Sequence, residues 1–183
     1  MKAKDREIEQ WRKKKAMEAV NNEDFHTIET TWVFTKKVHA SGKEKEKARL
    51  VARGFQDEMD EVGEVYAPTC SKGTMRLMLS LCAVEAWLPN AIDVTMAFSQ
   101  GRPIETDVYL KPPKAAMENP NTVWKLNLTV YGLADAQKAW FENVKDFFLS
   151  IRAIQLIRDP AVFAWSEGGR LKGFVFTHVH DLV

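Results

Sequence analysis

Residues 91–98 read Ala91-Ile92-Asp93-Val94-Thr95-Met96-Ala97-Phe98, and residues 173–181 read Gly173-Phe174-Val175-Phe176-Thr177-His178-Val179-His180-Asp181. Both runs have the β-branched and aromatic make-up of strands. Each also carries an ionisable group where a half-buried strand should be apolar. A carboxylate there is costly unless it is paired or holds a metal. If the two strands lie side by side, Asp93 and Asp181 can converge on divalent cations, as a two-metal phosphoryl-transfer site requires. The competing reading of either aspartate alone is a satisfied strand-end residue. Spacing does not choose between them.

The flanking sequence predicts an α+β fold, an antiparallel sheet with packed helices. Residues 31–38 (TWVFTKKV) and 48–55 (ARLVARGF) flank a Ser41-Gly42 turn and predict an antiparallel hairpin. Residues 74–86 place Leu77, Met78, Leu81 and Val84 at helical spacing and predict a buried helix. Val108-Tyr109-Leu110, stopped by Pro112-Pro113, and residues 123–128 predict short strands. In residues 134–151, Ala136, Trp140, Val144, Phe147 and Ile151 mark one face of an amphipathic helix. Residues 161–165 and 171–179 flank Glu167-Gly168-Gly169-Arg170, a second hairpin signal. Residues 5–20 read as a short helix. Trp32, Phe34, Phe55, Trp140, Phe147 and Phe148 read as core aromatics.

Composition narrows the class. With 45% hydrophobic and 28% charged residues in 183, a disordered tail, a collagen-like repeat and a disulfide scaffold are excluded. The formal charge of +1 gives no warrant for a polyanion partner, but it averages over a gradient. Residues 1–53 hold 14 Lys/Arg against 9 Asp/Glu, whereas residues 54–110 hold 3 against 9. The basic front end is a weak footprint for phosphate-bearing ligands, and the run Lys13-Lys14-Lys15 reads as a solvated helix face. Cys70 and Cys82 form no CxxC pair, which fits a reducing compartment. No apolar run approaches the ~18–20 residues of a membrane span, and the charged start is no signal peptide. The expected location is intracellular and cytoplasmic, with no membrane partner.

From Trp32 onward a series of blocks resembles the reverse transcriptase domain of copia-type retrotransposons. Residues 47–56 (KARLVARGFQ) are similar to that family's KARLVA(K/R)GFxQ block. Tyr66-Ala67-Pro68, then Arg76, then Ile92-Asp93-Val94 with Ala97-Phe98 and Gly101 follow in the family's order. Glu105, Val108-Tyr109-Leu110 and Pro113 resemble its ExxVYLxPP block, and Val130-Tyr131-Gly132-Leu133 with Asp135-Ala136 and Ala139-Trp140 its YGLxxAxRxW block. Asp159-Pro160-Ala161-Val162-Phe163 and His178-Val179 match the approach to its (Y/H)VDD turn.

The resemblance implies an RNA-directed DNA polymerase with a right-hand fold, truncated before the thumb. Residues 1–30 are a poorly matched helical segment, 31–70 a fingers-like basic hairpin and 71–183 a palm-like region. The partners implied are an RNA template, a DNA primer and dNTP. In the family, Asp93 and the acids of the VDD turn hold two Mg²⁺ ions, one activating the primer 3′-hydroxyl and the other gripping the triphosphate; hard oxygen ligands suit that ion. Phe98 stands where the family places an aromatic under the sugar that excludes a 2′-hydroxyl. Lys47, Arg49 and Arg53 are candidate triphosphate contacts, and Asp135 and Gln137 lie in the block that supports template and incoming nucleotide.

The departures are equally specific. His180 stands where the family has the first Asp of its double aspartate, so the catalytic set reads Asp93, His180, Asp181, and a neutral imidazole is a poor replacement for a bridging carboxylate. Ser99 replaces the usual Leu, and Gln137-Lys138 the usual small residue plus Arg. No return strand and no thumb are expected after Asp181, which suggests a truncated or decayed copy with lowered polymerase activity. Two other readings follow. One is a non-catalytic nucleic-acid-binding remnant, with Lys36, Lys37, Lys43, Lys45, Lys47, Arg49 and Arg53 as phosphate contacts and Trp32, Phe34 and Phe55, if they are not core, as aromatics that stack on bases. The other, on the HxH spacing, is a metal-dependent hydrolase using His178 and His180, whose remaining ligands are not evident.

Overall fold

The computed structural model describes residues 3–38, 44–57, 65–104, 106–116, 119–179 and 181–183. In chain order the first elements are helix α1 (Ala3–Lys13) and strands β1 (Met17–Asn21), β2 (Thr27–Ile28), β3 (Thr30–Val38) and β4 (Glu44–Ala52). Helix α2 (Lys72–Val84) and strands β5 (Ile92–Asp93), β6 (Tyr109–Leu110) and β7 (Thr122–Leu126) follow. Helix α3 (Ala136–Ser150) and strands β8 (Ile154–Gln155), β9 (Val162–Glu167), β10 (Arg170–His178) and β11 (Asp181–Leu182) complete the chain. The fold is mixed α and β, with antiparallel pairing throughout except between β2 and β6. Among the described residues no helix is long and apolar enough to cross a membrane.

Two compact units divide the chain, one drawn from residues 1–64 and 98–136 and the other from 65–97 and 137–183.

In the first unit α1 buries Ile8 and Trp11, the latter 6.2 Å from the Trp124 ring. The helix expected to reach residue 20 stops at Lys13. Lys15 takes a left-handed φ of 53°, and the chain then leaves as β1, Met17 opposite Leu126 through Asn21 opposite Thr122. Edge pairing with β7 outweighs helical propensity there. The sheet runs β1-β7-β6-β2 over a core that includes Ile28, Leu110 and Leu126.

The β3–β4 hairpin forms as expected, Thr30 opposite Ala52 through Val38 opposite Glu44; its Ser41-Gly42 turn lies outside the described residues. Ala48, Leu50 and Ala52 alternate onto one buried face. The outer edge of β4 is also satisfied: the Leu50 N–H donates to Glu7 Oε1 at 3.4 Å and the Ala52 N–H to the Tyr131 carbonyl at 2.8 Å. Burial pushes the Glu7 carboxyl above the usual glutamate range, against the lowering effect of its bonds from Leu50 and Trp11. Two expected core aromatics are solvent-facing. Phe34 is 59% and Phe55 84% exposed; Phe34 stacks only on Trp32 and under the Lys4 ammonium, 5.4 Å from its ring.

The second unit orders its sheet β5-β11-β10-β9-β8. Gly168 and Gly169, at φ +56° and +75°, close the β9–β10 hairpin in the left-handed conformation that two-residue turns require. Ser71 caps α2, its hydroxyl accepting the Thr74 N–H at 3.1 Å. The buried helix expected over residues 74–86 is largely exposed: of α2 only Cys82 is buried, and Leu77 and Val84 face out. On α3 the buried ladder is Trp140, Val144 and Phe148, not Phe147, which is 58% exposed. Phe148 continues the i, i+4 spacing inward, toward Phe163 at 5.0 Å.

Candidate active site

Asp181 stands directly opposite Asp93, and Leu182 opposite Ile92, on antiparallel β11 and β5. On its other side Asp181 is opposite His178 of β10. Directly opposed residues share a sheet face with Cβ atoms about 4.5–5.5 Å apart, so His178, Asp181 and Asp93 form one cross-strand row. Ile92 and Leu182 alternate to the reverse face, where they help line an apolar cavity of about 420 Å³ with Leu79, Trp87, Phe148 and Phe174. Alternation thus lets both strands carry a carboxylate without burying it: Asp93 is exposed and Asp181 half-buried.

Two expectations are corrected here. A return strand does follow the hairpin, because two residues suffice when β10 and β5 flank them on both sides. The strand expected over residues 91–98 is only Ile92–Asp93; Met96 adopts φ +54° and a 3-10 turn covers Ala97–Gln100. Phe98 therefore leaves the strand, belongs to the first unit and is buried.

Two carboxylates on adjoining strands are hard oxygen donors suited to a divalent cation. His180 lies outside the described residues. Among those described, no cluster of three or more His, Cys, Asp or Glu could hold a metal ion, and the hydrolase reading, which needs His180, falls outside them.

The β10 strand is anchored from below. The Cys70 N–H donates to the Thr177 carbonyl at 3.0 Å, and Asp159 Oδ2 accepts the Ser71 N–H at 3.1 Å, at the start of α2. Burial acts to raise the Asp159 carboxyl, but hydrogen bonds from the Thr74 side chain and the N–H groups of Ser71 and Ala161 outweigh it and hold it below the usual aspartate range. Burial and the Asp159 charge push the Cys70 thiol up to about 11, so it is no nucleophile at neutral pH.

In the first unit Lys47 and Arg49 of β4 occupy the face opposite Ala48 and Leu50. The Arg53 guanidinium pairs with Glu29 at 2.8 Å. The Arg49 guanidinium lies over the Tyr131 ring, 5.1 Å from its centroid, and its Nε is buried with no hydrogen-bond partner among the described residues. Tyr131 in turn meets Phe98 edge to face at 4.8 Å and 68°, while the Phe98 carbonyl accepts the Thr129 hydroxyl at 2.8 Å. Arg49 and Phe98 are thus joined through one ring that the sequence singled out only as part of a motif. Lys47 is half-buried on the same strand face as Arg49; Asp135 falls in the first unit and Gln137, exposed in the first turn of α3, in the second.

A second feature invisible to spacing explains two motif glycines. Gly132 has φ +99°, and a Cβ there would strike the Ala52 carbonyl; a Cβ on Gly54 would strike the Gly132 carbonyl. The backbones of the two motif blocks touch, and only glycine allows it.

Residues 15–183 match the family described as reverse transcriptase (RNA-dependent DNA polymerase). The chain is 30% identical over 156 residues to the retrovirus-related Pol polyprotein from transposon RE1 of Arabidopsis thaliana, covering 83% of this chain and 10% of that protein. It is 28% identical to that from transposon RE2 of the same plant, covering 83% of this chain and 11% of the relative. It is 29% identical over 140 residues to that from transposon TNT 1-94 of Nicotiana tabacum, covering 74% of this chain and 10% of the relative. The chain spans about a tenth of the length of the curated relatives it matches.

Proposed function

The chain belongs to the reverse transcriptase (RNA-dependent DNA polymerase) family, and from that premise we propose that it is the fingers and palm portion of a copia-type polymerase, built for DNA synthesis on an RNA template by two-metal nucleotidyl transfer. The observation that carries this reading is the Asp93–Asp181 pair, set opposite each other on neighbouring strands.

In this reading Asp93 and Asp181 hold Mg²⁺. When bound, that ion polarises phosphoryl oxygens and eases ionisation of the primer 3′-hydroxyl. The remaining work falls to the chain's own groups. Lys47 and Arg49 neutralise triphosphate oxygens. Arg53, tied to Glu29, braces the same strand and reaches phosphate only by exchanging that partner. Phe98 bounds the sugar side, and Asp135 and Gln137 support template and incoming nucleotide. The substrates are an RNA template, a DNA primer and dNTP.

One observation favours a second reading, a nucleic-acid-binding remnant without polymerase activity: His180 precedes Asp181 where the family has a carboxylate. A neutral imidazole leaves triphosphate and metal charge poorly balanced. Single-nucleotide incorporation on an RNA template with a DNA primer and Mg²⁺ separates the two readings. His180→Asp is expected to raise the rate by at least ~10³-fold, the scale of restoring one main electrostatic element of a site, and Asp93→Asn in that background to abolish it. Measurable incorporation at equal rates by His180 and His180→Asp would overturn the assigned cost of His180. Salt-sensitive hybrid binding with no incorporation by either form would establish the remnant.

A further inference from the structure

The reversal between β10 and β11 is strained at Val179 and held there from outside. His178 of β10 stands opposite Asp181 of β11, and Val179 is the residue by which the chain leaves β10. Val179 has φ +56°, in the left-handed region that a β-branched side chain resists because its Cβ crowds the next carbonyl. Two-residue turns ordinarily place Gly, Asn or Asp in that conformation, as Gly168-Gly169 does in the neighbouring hairpin. Strain of this kind persists only where the surroundings over-determine it. The surroundings here are the pairing of β11 between β10 and β5 and a hydrogen bond from α3 to the turn itself. Trp140, buried on the inward face of α3, donates its Nε1–H to the Val179 carbonyl at 2.8 Å. The indole has no other polar atom, and a buried indole N–H needs an acceptor. Each group satisfies the other.

We propose that Trp140 is a positioning residue for the acid pair: its bond to Val179 fixes the reversal, and the reversal sets Asp181 opposite Asp93. Register is the quantity at stake, since a slip of one residue would send the Asp181 side chain to the reverse face. The functional consequence rests on the reading of Asp93 and Asp181 as the metal-holding pair; the conformational one does not. Without the indole donor, Val179 relaxes to negative φ and the two-residue return strand loses its register.

Hydrogen exchange and Mn²⁺ binding on the 183-residue chain test this together. The Val183 N–H donates to the Phe176 carbonyl across β10 and β11 at 3.0 Å, so it reports the return strand directly. Trp140→Phe should speed its exchange about fivefold relative to the core amide of Val162, the scale of one net hydrogen bond, and weaken Mn²⁺ binding by a similar factor. Adding Val179→Gly, which removes the strain the indole restrains, should restore both. Unchanged Val183 exchange in Trp140→Phe, or no recovery with Val179→Gly, would overturn the proposal. Equal Mn²⁺ binding by the unsubstituted chain and Asp93→Asn would sink the metal-site reading instead, while the exchange data still decide the role of Trp140.

Discussion

Asp159 shows how one residue ties a helix to a strand and makes stability depend on pH. Its carboxylate accepts the Ser71 N–H at 3.1 Å beside the Ser71 cap of α2, where helix N–H groups are otherwise short of partners. Because these bonds hold its folded-state pKa below the unfolded value, the unfolded state binds the proton more readily. The stabilisation is therefore complete above the unfolded aspartate value of about 3.9 and disappears as pH falls through the lower folded value. Asp159→Asn should lower stability at pH 7 by about 2 kcal/mol, as for the loss of hydrogen bonds to a charged group. Thermal melts from pH 7 to 2 should show the two proteins converging at the acid end. A gap that stayed constant across that range would show that the charge contributes nothing.

At the scale of elements, the contact between Gly54 and Gly132 decides how the basic strand meets the Tyr131 segment. Gly132→Ala puts a Cβ against the Ala52 carbonyl and forces φ +99° on an alanine. The cost should be about 2–4 kcal/mol in urea unfolding. Gly168→Ala is the control: it carries a positive φ but meets open space, so it should cost only about 1 kcal/mol. Equal losses at the two positions would mean that backbone approach is not what selects glycine in the motif. The residues that were legible from sequence alone are those whose pattern is local. The β3–β4 and β9–β10 hairpins carried their turn signals and alternation, and Asp93 and Asp181 stood out because a charge interrupts each strand. What stayed hidden depends on neighbours distant in the chain. The end of α1 is set by pairing of Met17 with Leu126, the inward turn of Phe148 by the Phe163 ring, and the return strand by two flanking strands. Tyr131 and Trp140 act through atoms that spacing cannot place, an aromatic face and a single N–H.

For the molecule as a whole, a basic front end and an acidic middle nearly cancel. A net charge of +1 gives little long-range attraction for a polyanion, so the proposed affinity for nucleic acid would rest on local contacts. In the proposed function the phosphate contacts Lys47, Arg49 and Arg53 belong to one unit and the acid pair to the other, so binding and metal chemistry are expected to be independently removable. If those three cations are the phosphate contacts, the affinity for an RNA–DNA hybrid should fall with salt on a log–log slope of about −2 to −3, at roughly −0.7 to −0.9 per phosphate. Fluorescence anisotropy across a KCl series measures it. Lys47→Ala should reduce the slope by about one contact, because an ammonium acts as a point charge whose removal releases one counterion fewer. Arg49→Lys should keep the slope, since the charge remains, yet weaken binding about fivefold through loss of the planar stack on Tyr131. Asp93→Asn should leave the slope unchanged. A slope near zero, or one unmoved by removing all three cations, would place the nucleic-acid contacts elsewhere on the chain and leave the basic face of β4 as solvated surface.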